Sequence, residues 1–482
     1  MGKLERCMRK LIQKALKGKR YAKQKFMHLL VYPMRRRKIR NRVKREGFKI
    51  PKLIKQPIPH ILILVVDALR KDHMSLYGYK RDTTPFLKSI VERTAIFTNA
   101  YSTSSWTYPA VASILTGLYP HNHRGVYIHE PNDFDAGMLP QPIPRNINFL
   151  PEILSHYGFV SLFYSTIAFA ELVAGDRFQY VKINDLQAAE YVIQYYLNWL
   201  KKRRETYTFT YLHLSDTHAP LCIKEPYRSA FGEIKNLPHI EKWGKYRNVA
   251  STEDPDFREF RENRIKLYDA AIRYVDAQIR QLFQALSSLS LLDKILIIFT
   301  ADHGEELWDH TELERKFFYD PRPGYGFSHG QHLFQETINV PLILFGPDIP
   351  TGFYHHPVSH IDIVPTILEY LGIENYKKYF HLDGQNLFIS DPQRVLLSEA
   401  TCYGYEKKAV IQGKWKLYVS KGDGRVWVFD LSQDPKEKNP KYLPDVIARL
   451  QAYLPKNVRI TPLTREMDEN LKKRLRALGY IE

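Results

Sequence analysis

Runs of consecutive apolar residues, each about as long as a β-strand, constrain the fold of this chain more than any other feature. Three of the runs are continuous and two are weaker. A strand that is apolar on both of its alternating faces is buried on both sides, as in a parallel sheet covered by helices. The continuous runs are residues 60–66, 295–299 and 340–345, and the weaker ones are residues 159–164 and 209–214.

Helical patterns separate these runs, and a different style of sequence follows them. Residues 395–482 carry short candidate strands between turns, most clearly at 414–419 and 426–429. The helical patterns are at residues 147–157, 185–203, 262–289 and 362–371. Strands that alternate with helices are typical of a doubly wound α/β sheet. We therefore predict an α/β domain over residues 58–394 and a smaller antiparallel β subdomain over residues 395–482.

The first 57 residues form a basic arm that accounts for the whole net charge of +19. Residues 1–55 hold 21 of the 71 lysines and arginines and only two acids, while the rest of the chain has 50 basic and 50 acidic residues. The body is neutral and only the arm is basic, which disfavours nucleic acid as a partner. Apolar residues at helical spacing predict a basic amphipathic helix on an anionic membrane surface, with a solvated tail as the alternative. They are Leu4, Met8, Leu11, Ile12, Ala15 and Leu16.

Neither secretion nor a membrane span is indicated. The longest apolar stretch of the arm, residues 26–34, is interrupted by His28 and closed by Pro33, whereas a spanning helix needs roughly 20 apolar residues. The chain has three cysteines far apart, Cys7, Cys222 and Cys402. Their odd number and spacing fit a reducing compartment better than a disulfide framework. We expect a cytoplasmic protein that is peripheral to the membrane.

Two of the apolar runs end in acidic residues, at the edge of the sheet where open α/β folds form their sites. Asp67 follows the run 60–66, and Asp302 and His303 follow the run 295–299. A carboxylate is costly to bury there unless it is paired or bound to a metal. A carboxylate beside an imidazole is a good pair of ligands for a divalent cation, and a helix cap is the alternative for either acid alone.

The segment around Thr107 resembles the nucleophile motif of the sulfatase family, in the alkaline phosphatase superfamily. In that motif a Cys or Ser lies two residues before a Pro, and a Leu-Thr-Gly triplet follows. Thr107 is at the nucleophile position, Pro109 at the Pro and residues 115–117 at the triplet, without a gap. The resemblance implies an alkaline-phosphatase-like fold and an enzyme that acts on ester bonds. It continues in order through segments 66–85, 213–220, 268–276, 300–306, 328–342, 360–366 and 429–435.

Three positions depart from the family pattern. Thr107 replaces the Cys or Ser that sulfatases oxidise to formylglycine, Val111 replaces the Arg that supports formylglycine, and Ala68 replaces the second Asp of an Asp-Asp pair. These changes resemble the branch of the superfamily with a Thr nucleophile, which includes phosphodiesterases, phosphoethanolamine transferases and lipoteichoic-acid-synthase-like enzymes. The resemblance to this branch favours phosphate esters over sulfate esters.

The same resemblance implies a site with one divalent metal ion. Because one ligand is a nitrogen, Zn²⁺ or Mn²⁺ is favoured over Ca²⁺ or Mg²⁺. His218 and His329 would contact phosphoryl oxygens or protonate the leaving group, with structural hydrogen bonding as the alternative. The implied metal ligands are Asp67, Thr107, Asp302 and His303. Thr107 would attack phosphorus and form a phospho-enzyme.

The sequence therefore predicts a metal-dependent phosphodiesterase, phosphatase or phosphoalcohol transferase, with a lipid- or glycan-linked phosphate ester as candidate substrate. Two alternatives stay open: a sulfatase without formylglycine, and a non-catalytic, membrane-associated binding protein. The Pro- and Gly-rich segment 315–327 predicts an insertion at the mouth of the site. Lesser candidates for the site are His121, His123, His332 and Arg70, and His360 and Asp362 are expected to cap a helix.

Overall fold

A computed structural model describes most of the body of the chain. The described residues are 59–127, 137–235, 240–241, 252–322, 324–373, 375–455 and 466–477, together with Met34. The basic arm lies outside them apart from that methionine, so its membrane helix stays a prediction. Within the described part, no helix is both long and apolar enough to cross a bilayer.

The strands of these residues are numbered in chain order. They are β1 (His60–Val66), β2 (Thr94–Tyr101), β3 (Val160–Ser165), β4 (Tyr180–Ile183), β5 (Thr208–Leu214), β6 (Ile295–Thr300), β7 (Glu306–Leu307), β8 (Phe327–Ser328), β9 (Asn339–Phe345), β10 (Gly352–Tyr354), β11 (Val358–Ser359), β12 (Val395–Ser398), β13 (Lys407–Gln412), β14 (Trp415–Ser420) and β15 (Arg425–Asp430).

The helices are numbered in the same way. They are α1 (Pro85–Ser89), α2 (Thr107–Thr116), α3 (Pro120–His123), α4 (Leu150–Ser155), α5 (Ala168–Ala174), α6 (Ala189–Lys201), α7 (Pro255–Ser288), α8 (Thr311–Phe317), α9 (Gln335–Ile338), α10 (Ile363–Tyr370), α11 (Pro444–Gln451) and α12 (Glu469–Ala477). Short 3₁₀ helices span Lys71–His73, Ser75–Tyr77, Val91–Arg93, Leu292–Lys294, His360–Asp362 and Tyr376–Lys378.

A nine-stranded sheet forms the centre of the described residues. Its order is β10-β2-β9-β6-β1-β5-β3-β4, with β11 also paired to β2. Every pairing is parallel except the two made by β9, which runs antiparallel to β2 and β6. The sheet is therefore mixed but mostly parallel, which confirms the predicted α/β fold class.

All five predicted strands of this sheet are present within one residue of their expected bounds. The run 340–345 forms β9, which is antiparallel to both of its neighbours, whereas its apolar sequence had indicated a parallel strand. Six of the seven residues of β9 are buried, because the strand lies inside the sheet. Full burial of a strand thus follows from its place in the sheet, and its apolar sequence does not report its direction.

The predicted helices are also present, as α4, α6, α7 and α10. The largest difference is α7, which begins at Pro255, seven residues before the predicted start. Asp254 caps it by accepting hydrogen bonds from the N–H groups of Asp256 and Phe257, a side-chain cap that is typical of helix starts. Strand β2 was not predicted, because Thr98 and Asn99 interrupt its apolar residues.

A separate antiparallel sheet of β12, β13, β14 and β15 follows the main sheet in the chain. It confirms the antiparallel style expected beyond residue 395, while the domain boundaries themselves stay a prediction. Lys416 of β14 is buried, donates to the Leu333 carbonyl (2.5 Å) and pairs with Glu437 (2.6 Å). The hydrogen bond to Leu333 joins the second sheet to the segment that leads into β9.

The carboxylate of Asp276, in the middle of α7, holds the start of α1. It accepts the N–H of Phe86 (2.8 Å) and of Leu87 (3.0 Å). Burial raises the pKa of Asp276 to about 6, although both N–H groups act to lower it. A carboxyl whose pKa is raised by folding favours the folded state below its ordinary pKa, and this contribution is lost as the pH rises through the folded value.

We therefore expect Asp276→Asn to lose less stability than the wild type between pH 4 and pH 7. Two pKa units correspond to about 3 kcal/mol, so the free energy of unfolding should shift in favour of the variant by about 2–3 kcal/mol over this range. Denaturant unfolding at both pH values measures the shift. Asp82→Asn is the control, because hydrogen bonds lower the pKa of Asp82, so its contribution is lost mainly below pH 4 and the variant should show little shift over this range. A stability difference that does not change with pH would contradict the prediction.

Candidate active site

Three strand ends bring two carboxylates and an imidazole to one edge of the main sheet. Asp67 directly follows β1, Asp302 lies two residues after β6, and His213 is the penultimate residue of β5. Strand β1 lies between the other two and is parallel to both, with Val65 opposite His213 on one side and Thr300 on the other. All three side chains are fully buried. The shared strand direction is what makes them neighbours.

The two carboxylates are fully buried but accept few hydrogen bonds. Among the described residues, neither oxygen of Asp67 has a well-formed partner, and Asp302 Oδ2 has none. Asp302 Oδ1 accepts the N–H of His303 (2.9 Å) and of Ala68 (3.3 Å). Burial and the charge of Asp302 raise the pKa of Asp67 well above its ordinary value. Burial acts in the same direction on Asp302, but His303 and His213 outweigh it and lower the pKa of that carboxyl.

His303 faces the carboxylates with a nitrogen that can bind a metal. Its Nδ1–H donates to the Gly304 carbonyl (2.8 Å), which leaves the lone pair on Nε2. Nε2 lies 3.5 Å from Asp67 Oδ1 and 3.3 Å from Asp302 Oδ2. Ligand atoms bound tetrahedrally at about 2.0–2.1 Å are separated by roughly 3.4 Å. The three side chains therefore fit a divalent cation, and their ligand atoms all lie within 4.8 Å of one another.

Thr107 reaches the same point from a helix. It is the first residue of α2, and its Oγ1 lies 3.3 Å from His303 Nε2. The backbone N–H groups in the first turn of a helix favour negative charge, which suits an ionised hydroxyl. The segment before α2 is held by Ala400, whose carbonyl accepts Trp106 Nε1–H (2.6 Å) and the Ser104 hydroxyl (3.0 Å).

Left-handed backbone conformations occur at three residues next to the site. They are Ala68 (φ 57°), Ser328 (φ 72°) and Ala400 (φ 62°). Such a conformation costs a residue with a side chain on the order of 1–3 kcal/mol. At Ala68 it accompanies two contacts: the N–H points to Asp302, and the carbonyl accepts the Tyr268 hydroxyl (2.6 Å). The strain is therefore located where the chain turns away from the carboxylates.

His218 and His329 lie beside the candidate metal-binding group, which consists of Asp67, Asp302 and His303. The His329 ring centroid is 4.2 Å from that of His303 and 5.1 Å from that of His218. His218 Nδ1–H donates to the Ala219 carbonyl (2.6 Å), and His329 Nδ1–H donates to Glu305 (2.9 Å). Burial lowers the pKa of His218 to about 3 and that of His329 well below its ordinary value, so both imidazoles are neutral near pH 7.

Two residues at this site were missed by sequence reasoning. Glu305 orients His329, and burial raises the pKa of its carboxyl to about 7 against the nearby histidines. His213 faces Asp67 and Asp302. Both residues lie inside segments that resemble the family, and their position next to a motif residue is the signal that the sequence offers. What their side chains face can be read only from the fold.

The lesser candidates lie outside the metal-binding group, each with its own partner. His121 contacts Glu399 (2.6 Å), and His123 lies against Ser113 (3.3 Å) under α2. Arg70 binds Asp72, Asp309 and the Glu305 carbonyl. Of the two residues expected to cap a helix, Asp362 accepts the Ser359 N–H in the capping box of the 3₁₀ helix His360–Asp362 and pairs with Arg394, whereas the His360 side chain contacts Thr300.

A second group of possible metal ligands is formed by Glu306, His332 and Glu336. His332 Nε2 lies 3.2 Å from Glu306 and 3.1 Å from Glu314. The Phe334 N–H donates to His332 Nδ1 (3.2 Å), so the proton of the neutral imidazole is on Nε2 and points to the carboxylates. The nitrogen that a metal would need is therefore a donor, and this cluster is a hydrogen-bonded network.

The segment 315–327, outside residue 323, is anchored to its surroundings. Arg322 pairs with Asp320 (2.7 Å) and lies over the Tyr403 ring at 3.9 Å, and the Gly326 N–H donates to Glu314 (2.5 Å). Its role at the mouth of the site stays a prediction. An open cleft of about 1170 Å³ next to Asp309 carries charges of both signs, and none of the candidate catalytic or metal-binding residues lines it.

Known proteins resemble the chain in both sequence and fold. A family model described as Sulfatase matches residues 59–373. The choline-sulfatase of Rhizobium meliloti (strain 1021) is 22% identical over 440 residues, which cover 79% of this chain and 81% of that protein. The multifunctional alkaline phosphatase superfamily protein PehA of Trinickia caryophylli is 22% identical over 486 residues, covering 78% and 90%. A phosphonate monoester hydrolase of Agrobacterium radiobacter has a TM-score of 0.60 at 17% identity, covering 82% and 94%.

We expect Asp67→Asn to stabilise the protein in a chelator and to remove its stabilisation by metal. The variant lacks the buried carboxylate that repels Asp302, so its free energy of unfolding without metal should rise by about 1–3 kcal/mol. Unfolding is measured in chelator and with excess Zn²⁺ or Mn²⁺.

Asp269→Asn is the matched control for this prediction, because Asp269 is equally buried but is paired with His73 (2.7 Å) and Arg81 (2.6 Å). This variant should be less stable in chelator and should keep the response to metal. A full metal response in Asp67→Asn would show that Asp67 is not a ligand.

Proposed function

The chain belongs to the sulfatase family of the alkaline phosphatase superfamily, and we propose that it is a metal-dependent hydrolase or transferase of phosphate esters with Thr107 as its nucleophile. The observation that carries the proposal is the position of the Thr107 hydroxyl, 3.3 Å from His303 Nε2 at the start of α2. An alcohol at that point can be ionised and can attack an ester bound in front of the carboxylates.

The identity of the nucleophile favours phosphorus over sulfur. In the sulfatases that this chain resembles, a Cys or Ser is oxidised to formylglycine, and Thr107 cannot form that aldehyde. Val111 in place of the supporting Arg fits the same conclusion. A threonine alkoxide can instead attack phosphorus directly, as in the Thr-nucleophile branch of the superfamily that the sequence resembles.

The reaction is proposed in two steps. Thr107 Oγ forms a bond to phosphorus while the bond from phosphorus to the ester oxygen breaks, and the alcohol leaves with a proton. Water, or a second alcohol in a transferase, then attacks the phospho-threonine and releases Thr107. A divalent ion held by Asp67, Asp302 and His303 would favour the Thr107 alkoxide and neutralise charge on the phosphoryl group.

The two histidines next to the metal-binding group are proposed to handle the substrate. His218 and His329 are neutral near pH 7 with their one proton on Nδ1, so Nε2 of each carries a lone pair. Each Nε2 can take up a proton, such as the one released by the Thr107 hydroxyl, and can then donate it to a phosphoryl oxygen or pass it to the leaving alcohol. Glu305 fixes the ring of His329 through Nδ1. In phosphoryl transfer, positioning and charge stabilisation contribute most of the catalysis, which is what buried and oriented imidazoles supply.

Sulfate-ester hydrolysis without formylglycine is the second candidate. It is favoured by the names of curated relatives, among them choline-sulfatase and human arylsulfatase K. Phosphonate monoester hydrolases also have a similar fold, so this architecture accommodates reactions at phosphorus as well. A non-catalytic binding protein is the weakest candidate, because the nucleophile, two carboxylates and His303 are all retained.

We expect the protein to release nitrophenol from a nitrophenyl phosphate mono- or diester, and not from the sulfate, in the presence of Zn²⁺ or Mn²⁺. Thr107→Val should lower kcat by at least about 10³-fold, as is usual when a nucleophile is removed. Thr107→Ser, which keeps a hydroxyl, should retain measurable turnover. Mass spectrometry of acid-quenched enzyme should locate a phosphoryl group on Thr107.

Thr116→Val is the matched control, because its hydroxyl in the same buried helix bonds two backbone groups, the Ala112 carbonyl (2.7 Å) and the Leu118 N–H (3.3 Å). It should have nearly wild-type activity. Turnover of the sulfate alone would favour the second candidate, and undiminished turnover in Thr107→Val would assign the nucleophile elsewhere.

The proposed partners of the enzyme are a lipid- or glycan-linked phosphate ester and an anionic membrane surface. The membrane contact would be made by the basic arm, where each Lys or Arg near such a surface contributes about 1 kcal/mol. We expect the full chain to float with vesicles that contain anionic lipid and to be released by salt. A chain without residues 1–55 should remain in solution and hydrolyse a soluble ester as before. Equal flotation of both chains, or flotation with neutral vesicles, would contradict the proposal.

A further inference from the structure

His213 is a buried histidine whose ring nitrogens have no role in the proposed reaction. It is the penultimate residue of β5 and has no exposed surface. Neither ring nitrogen has a hydrogen-bond partner among the described residues. A buried polar group without a partner destabilises the folded state, so its presence in the middle of the sheet needs a reason.

The ring directs Nε2 at the two carboxylates of the candidate metal site. Nε2 lies 3.4 Å from Asp67 Oδ2 and 3.5 Å from Asp302 Oδ2. Asp67 thus presents Oδ1 to His303 and Oδ2 to His213. With two carboxylate oxygens in front of Nε2 and no acceptor near Nδ1 in the described chain, the proton of the neutral ring belongs on Nε2.

His213 lies outside the compact set of ligand atoms. Asp67, Asp302 and His303 have ligand atoms within 4.8 Å of one another, and His213 is not a member of that set. Its Nε2–H is within a small side-chain rotation of either carboxylate oxygen. Carboxylates that bind metals are usually held by hydrogen bonds from outside the coordination sphere, and losing such a donor typically lowers metal affinity 10–100-fold.

We propose that His213 is a positioning residue for the metal site, which donates its Nε2–H to Asp67 Oδ2 and Asp302 Oδ2 and holds both carboxylates toward the ion. This rests on the proposed metal dependence. His213 is the side chain that lies close to both carboxylates from β5, and it limits how far each can rotate away from His303. Asp67 depends on it most, because neither of its oxygens has a hydrogen-bond partner in the described residues, whereas Asp302 Oδ1 accepts two N–H groups.

The test compares Zn²⁺ and Mn²⁺ affinities, measured by competition with a chromogenic chelator. His213→Phe keeps the volume of a ring but has no donor, and it should bind either ion 10–100-fold more weakly than wild type. His213→Gln keeps an N–H donor and should recover most of the affinity. The control is His60→Phe, which removes a buried imidazole bonded to Thr208 (2.9 Å) at the opposite end of β1 and should leave the affinity unchanged.

Zinc X-ray absorption of the wild type and of His213→Gln separates positioning from ligation. The same number of imidazoles in both spectra supports the proposal, and one imidazole fewer in His213→Gln would overturn it by making His213 a ligand. Wild-type affinity in a folded His213→Phe, or no recovery in His213→Gln, would also overturn it. A wild type that binds neither ion would contradict the proposed metal dependence itself, which is a different outcome from unchanged affinity in the variants.

Discussion

The repulsion between two buried carboxylates is the constraint on which the rest of the site depends. Asp67 and Asp302 are brought together by parallel strands, in a position without water contact and with few donors. Such a pair is tolerable only when positive charge or a proton is supplied. Three surrounding features reduce the cost of this repulsion. An imidazole lies on each side of the carboxylates, the strained backbone of Ala68 turns an N–H toward Asp302, and a helix starts at Thr107.

The fold could be predicted to a large extent from the sequence, and the reason is burial. Strands covered by helices on both faces must be apolar throughout, so β1, β6 and β9 were visible as unbroken runs. The direction of β9 could not be predicted, because an inner strand is equally buried whichever way it runs. Strand β2 was missed for the related reason that two polar residues interrupt its apolar pattern.

The candidate site was predicted less completely. Asp67, Asp302 and His303 were found because acidic residues at the ends of apolar runs are costly and therefore conspicuous. His213 carries no such signal, since a histidine inside a strand is ordinary, and only the pairing of β5 with β1 shows that it faces the carboxylates. Glu305 has the same limitation, because its partner His329 is 24 residues away in the chain. Residues that orient other side chains are identified from strand register and interatomic distances, which only the structure provides.

The contact between Trp106 and Ala400 has a consequence for how the protein is made. The carbonyl that holds the segment before Thr107 belongs to a residue 294 positions further along the chain than Trp106. On the ribosome, every strand of the main sheet is synthesised before Ala400 appears. A nascent chain can therefore contain the carboxylates and Thr107 while the segment before Thr107 still lacks its anchor. The order of synthesis thus delays the assembly of the candidate site until the carboxyl-terminal part of the chain has joined the fold.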